Sequence, residues 1–166
     1  MTLFFLMLSA LMLLVVALDA SKYLIPNWLV GMVLALYPVF VLMAPVPVDW
    51  PGALLVFGAF FVVGIIIFAL RWVGGGDVKL LMALSLWVGT TAWMEFLLLV
   101  AILGGALAVA LMVGRPCYAF LLSKLKNPPG IPKILTVGAP LPYGLAIAAA
   151  FLWLLWGGKL PGLAIS

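Results

Sequence analysis

Gly52-Ala-Leu-Leu-Val-Phe-Gly-Ala-Phe-Phe-Val-Val-Gly-Ile-Ile-Ile-Phe-Ala-Leu70 contains no charge, no amide and no hydroxyl. Wound as a helix rising 1.5 Å per residue, the run reaches about 28 Å, close to the ~30 Å hydrocarbon core of a bilayer. Pro51 and Arg71 punctuate its two ends. The rest of the chain agrees with it: 69% of the 166 residues are hydrophobic and only 7% are charged. So few charged side chains cannot clothe a soluble core of this size, and the remaining solvent is lipid.

Outward from that run, five more segments are free of charge for long enough to span or nearly span: Thr2–Leu18, Pro26–Pro47, Leu80–Met94, Phe96–Gly114 and Ile134–Gly158. The sequence predicts an all-α polytopic membrane protein of six transmembrane helices, a single integral-membrane domain over residues 1–166 with no soluble domain. Leu80–Met94 is short, so its helix is expected to begin nearer Asp77. The first segment has no positive n-region and no small-residue cleavage site before Asp19, and is expected to remain as the first helix. Pro45, Pro47 and Pro51 mark one tight turn, and Gly89, Thr90 and Thr91 another. Arg115 to Lys133 reads as the one long loop, broken by Asn127-Pro128-Pro129-Gly130. Within it Tyr118, Leu121, Leu122 and Leu125 recur at i, i+3, i+4 and i+7, the pattern of a short helix on the membrane surface.

Counting segments assigns sides. Lys22, Arg71, Lys79, Arg115, Lys124, Lys126 and Lys133 fall on one face and Lys159 alone on the other. By the positive-inside rule the first face is cytoplasmic and both termini lie outside. Trp50, Trp93 and Trp156 then fall near the outer interface, and Trp28 and Trp72 near the inner one, where amphipathic rings prefer to sit. The net charge of +4 is scattered between apolar segments, so it reads as topology signal and membrane-lipid contact, with no nucleic-acid patch.

Histidine is absent and Cys117 is the only cysteine. That removes the usual zinc ligand sets, Ser/His and Cys/His nucleophile pairs and internal disulfides; no metal or cofactor is expected, and the chemistry left is that of carboxylates. Four acids exist: Asp19, Asp49, Asp77 and Glu95. Asp49 in the Pro-rich turn and Glu95 at a helix start read as ordinary solvated or helix-starting carboxylates. Asp19 ends the first segment and Asp77 precedes the fourth, so both fall at the cytoplasmic boundary and can meet. Taken singly, Asp77 reads equally well as a helix N-cap after three glycines, and Asp19 as a boundary charge beside Lys22.

The residues around these acids resemble the type IV prepilin peptidase family. Asp19-Ala20-Ser21-Lys22-Tyr23-Leu24-Ile25-Pro26-Asn27 resembles its first signature, an aspartate followed seven and eight residues on by Pro-Asn. Gly74-Gly75-Gly76-Asp77-Val78-Lys79-Leu80 is similar to the GxGD motif of intramembrane aspartyl proteases, and Pro142-Tyr143-Gly144 resembles a third, weaker motif. The resemblance implies an aspartyl endopeptidase of the inner membrane, with Asp19 and Asp77 as catalytic pair and its site facing the cytoplasm. Its partners would be prepilin or pseudopilin substrates, cut where a short basic leader meets an apolar helix. The compact chain resembles the peptidases of Flp-type, tight-adherence pili. It lacks the cysteine-containing region that larger members carry, so N-methyltransferase activity is not expected. Between Asp19 and Pro26 only Lys22 is basic, with Tyr23 where the family often has arginine.

The supporting residues have physical readings of their own. Gly74, Gly75 and Gly76 would let a peptide backbone approach Asp77, or merely break the chain between helices. Pro26 and Asn27 would start and cap the second helix. Lys79 would neutralise its face or meet lipid headgroups. The competing reading is a non-enzymatic ion or proton carrier, which would place acids toward the bilayer midplane, where these helices have none.

Overall fold

The apolar runs fold as helices, and this computed structural model describes residues 2–124, 132–136 and 138–163. Among the described residues there are five: α1 (Thr2–Lys22), α2 (Asn27–Met43), α3 (Trp50–Ala69), α4 (Gly75–Ser123) and α5 (Tyr143–Trp156), with one 3-10 turn at Lys133–Leu135. Among the described residues there is no strand. Three of the helices, α1, α3 and α4, are long and apolar enough to cross a membrane; α2 and α5 are shorter apolar helices.

Helix α4 is two rods. Gly89 sits at φ 54° and ψ −159°, a region essentially closed to other residues, and the helix breaks there. The halves run in opposite directions. Asp77 near the start of α4 and Arg115 near its end both reach the strap that leads into α5 (residues 132–136 and 138–142), Asp77 by lining a cavity with Pro140 and Leu141 and Arg115 by bonding its carbonyls, while Thr90 between them hydrogen-bonds Asp49 at the far end of α3.

Helix-spaced stripes build the core: Leu8, Met12 and Val15 of α1; Leu29, Val33 and Phe40 of α2; Leu80, Leu84 and Trp87 of α4; Ile147, Phe151 and Leu154 of α5, all essentially inaccessible. Phe40 packs on Phe4 edge-on at 5.5 Å and against Trp87 at 5.3 Å. The Trp87 indole N–H donates to the Val33 carbonyl at 3.1 Å, which satisfies a donor that could reach no water at this depth. Helix α3 is peripheral: only Gly52, Ala53 and Gly64 are buried along it, and its outward face is a layer of Leu, Val, Ile and Phe suited to lipid.

The end of the bundle near Gly89 is closed. Asp49 caps α3, accepting the Gly52 N–H at 3.0 Å, and its other oxygen accepts the Thr90 hydroxyl at 3.2 Å. Glu95 is ion-paired with Lys159. Beyond α5 the chain folds back under the bundle, burying Leu160 and Leu163, with Pro161 against Gly89 and Gly162 against the Phe40 ring.

Several expectations are corrected. The charge-free runs Leu80–Met94 and Phe96–Gly114 do not bound the rods: the backbone turns at Gly89, where the Gly89-Thr90-Thr91 signal puts the turn, and the preceding rod starts at Gly75, near Asp77 as expected. The Arg115–Lys133 stretch is not a loop from its start: α4 runs through Pro116 to Ser123, because Leu111, Arg115 and Leu122 continue one buried stripe and a single missing N–H does not outweigh it. Leu125, Lys126 and Asn127-Pro128-Pro129-Gly130 lie outside the described residues. The last segment is helical only over Tyr143–Trp156, since Pro140 and Pro142 remove donors that an earlier start would need.

Candidate active site

Asp19 lies in the last turn of α1 and is 5% exposed. The helix ends just beyond it, where Tyr23 takes a left-handed conformation (φ 52°) and donates its N–H to the Asp19 carbonyl at 3.0 Å. The chain then turns back into α2 with the Asp19 side chain pointing toward α5. There the Leu145 N–H donates to Asp19 Oδ2 at 3.2 Å, and the Gly144 N–H faces the same carboxyl. These amides belong to the first turn of α5, where the Leu145 N–H is shared with the Pro142 carbonyl at 3.2 Å, so the carboxylate meets the positive end of a helix dipole.

Asp77 lies in the first turn of α4, in electrostatic range of Asp19, and the Gly144 N–H faces it as well. It is not the N-cap of α4: that position is Gly74, extended at φ −64° and ψ 143° and without a side-chain cap. The carboxyl is thereby left to the cavity. Both aspartates line one opening of about 480 Å³, together with Tyr23, Trp72, Gly74, Gly75, Gly76 and Tyr143, and with Pro140 and Leu141 of the strap.

Close packing explains the glycines. A Cβ on Gly76 would meet Ile25 Cβ at 3.3 Å, one on Gly75 would meet the Phe68 ring at 3.0 Å, and one on Gly74 would meet Asp77 Oδ2 at 3.0 Å. All three line the cavity, so neighbouring side chains within this protein already use the close approach expected for a peptide.

The other expected residues stand around the opening. Pro26 occupies the N-cap position of α2 with extended backbone, and Asn27 does not cap that helix. The Asn27 side chain instead accepts a hydrogen bond from Lys79 Nζ at 3.0 Å, which ties the start of α2 to the start of α4. Lys22 is exposed at the end of α1, and neither it nor Pro26 lines the cavity.

Two residues of the site are not evident from sequence. Gly144 stands there only as part of a weak motif, yet a Cβ on it would lie 2.8 Å from Asp19 Oδ2 and 2.7 Å from Ile25 Cδ1. Arg115 reads as a surface topology charge, whereas it is buried, with its guanidinium bonded to three carbonyls of the strap.

An apolar helical bundle of this kind is a membrane protein, with a pair of acids drawn together at one end. Residues 6–109 match the type IV leader peptidase family, and the chain belongs to that family; it is a protease of the leader-peptidase type. The matched span contains both aspartates and ends before Arg115, the strap and Gly144. No curated protein and no solved structure matches the chain.

Proposed function

We propose that the protein is an intramembrane aspartyl endopeptidase that removes the short basic leader of Flp-type prepilins at the cytoplasmic face of the inner membrane, with Asp19 and Asp77 as its catalytic pair. The observation that carries this is the meeting of two acids from separate helices, each at a helix end, in one open cavity beside otherwise apolar rods. In a chain with four acids and no histidine, that pair is the available means of activating water.

Two neighbouring carboxyls share a proton more readily than both ionise. The ionised one takes a proton from a water whose oxygen attacks the scissile carbonyl carbon, and the protonated one donates to the developing oxyanion. Collapse of the tetrahedral intermediate breaks the C–N bond, the amine leaves with a proton from the pair, and no acyl-enzyme forms. The six rods each cross the bilayer in this reading, with both termini outside.

The test is substitution of each acid by its amide. Asp77 caps no helix, and an asparagine at position 19 keeps an oxygen that can accept the Leu145 N–H, so Asp19→Asn and Asp77→Asn should insert and accumulate like the parent, while leader removal from a co-expressed pilin precursor of the same genome falls by at least ~100-fold. The double variant should be no worse than either single one, because the two groups act as a unit. Full cleavage by either single variant would end the aspartyl reading.

A further inference from the structure

Arg115 is 8% exposed, the only buried basic side chain among the described residues, and it forms no ion pair there. A guanidinium withdrawn from water without a counter-ion is costly unless its donors are met, and a side chain serving only as a boundary charge would reach outward to water. Here each of the three guanidinium nitrogens finds a carbonyl in one segment, with three of the five N–H donors so bonded. Nε donates to the Ile134 carbonyl at 3.0 Å, Nη1 to Ala139 at 2.6 Å and Nη2 to Pro140 at 2.8 Å.

That segment has little of its own to hold it. It contains Pro132, Pro140 and Pro142, and among the described residues its backbone bonds are short-range turns only, Leu135 N–H to the Pro132 carbonyl, Ala139 N–H to Thr136, Tyr143 N–H to Leu141 and Leu145 N–H to Pro142. Yet it leads directly into the site: Pro140 and Leu141 form part of the cavity wall, Pro142 is the N-cap of α5, and Leu145 three residues on donates to Asp19. We infer that Arg115 is a positioning residue for the aspartate pair, clamping three strap carbonyls so that the first turn of α5 is held where its Leu145 amide meets Asp19. The planar fork of arginine suits this role; the ammonium of lysine is a compact point charge and cannot span the same three acceptors.

The inference rests on the catalytic reading of Asp19 and Asp77, and its test includes a measurement independent of cleavage. Parent, Arg115→Lys and Arg115→Met are purified in detergent, kcat and KM are measured on the pilin precursor that the parent cuts, and hydrogen exchange is followed in the peptide covering residues 138–146. Loss of the clamp should lower kcat per folded molecule of Arg115→Met by ~10- to 100-fold with KM within about twofold of the parent, as misplacement of a reacting group does. Exchange in that peptide should quicken by about tenfold or more as the strap opens. Arg115→Lys should recover only part of each change. Parent-like kcat in folded Arg115→Met, or unchanged exchange in the strap peptide, would overturn the inference. Should Arg115→Met not accumulate, full kcat in Arg115→Lys would overturn it equally. If Asp19→Asn and Asp77→Asn cleave normally, the catalytic reading fails while the exchange result still decides the clamp.

Discussion

Gly144 brings the backbone of α5 against Asp19 with no room for a methyl group, since a Cβ would press on both the carboxyl and Ile25. Gly144→Ala should therefore displace Asp19 with little effect on insertion, because alanine is the better helix former. Cleavage should fall by ~100-fold at unchanged protein level, the scale expected for a displacement near 1 Å; parent-like cleavage would show that the approach is not needed. At this scale the two acids are legible in the sequence because a carboxylate at the edge of an apolar run is expensive and so stands out. Arg115 is not, because a basic residue at a predicted membrane boundary already has an ordinary explanation. Its inward direction depends on the carbonyls of a strap 19 to 25 residues further along the chain. Asn27 misleads for a related reason: its place at a helix start suggests a cap, while its partner, Lys79, lies 52 positions away.

Among the elements, the apolar runs are legible and their joints are less so. Hydropathy marks where a helix belongs in lipid and says little of where its backbone turns, which is why the charge-free run continues to Met94 while the backbone turns at Gly89. The Gly89-Thr90-Thr91 signal is in the sequence and indicates the right place. Pro116 and the pair Pro140 and Pro142 show that proline alone does not decide: the first lies within a helix whose buried stripe continues past it, and the others lie before α5, where no such stripe pulls the chain into a helix. The turn at Gly89 has space for a side chain, since a Cβ added there would lie 3.6 Å from Pro161 Cγ, so its constraint is conformational. Gly89→Ala should cost about 1–3 kcal/mol, read as a lower thermal midpoint in detergent, with kcat of the folded fraction unchanged because the turn is at the end away from the aspartates. A midpoint equal to the parent's would mean that the turn tolerates alanine.

For the whole molecule, the helical class, the apolar exterior and the end at which the acids meet can be read from segment order and charge. Sidedness is a further step, which cysteine labelling measures. In a Cys117→Ala background, Ser123→Cys lies at the aspartate end and Val46→Cys in the exposed turn at the other. An impermeant thiol reagent added to intact cells should modify only Val46→Cys, and labelling of Ser123→Cys instead would invert the orientation. The closed end has a consequence for permeation. Between the aspartates and Gly89 the described interior is mostly apolar, Leu80, Leu84, Met12, Phe151, Phe40 and Trp87, with Leu160 and Leu163 beneath them. Protons need a continuous file of waters or titratable groups, and the buried hydroxyls there form none among the described residues: Ser85 donates to the Met82 carbonyl, Ser9 accepts from Trp156, and the Tyr37 hydroxyl has no hydrogen-bond partner. Vesicles containing the protein should therefore hold an imposed pH gradient as long as protein-free ones do, and a faster decay would reveal a path for protons through that interior.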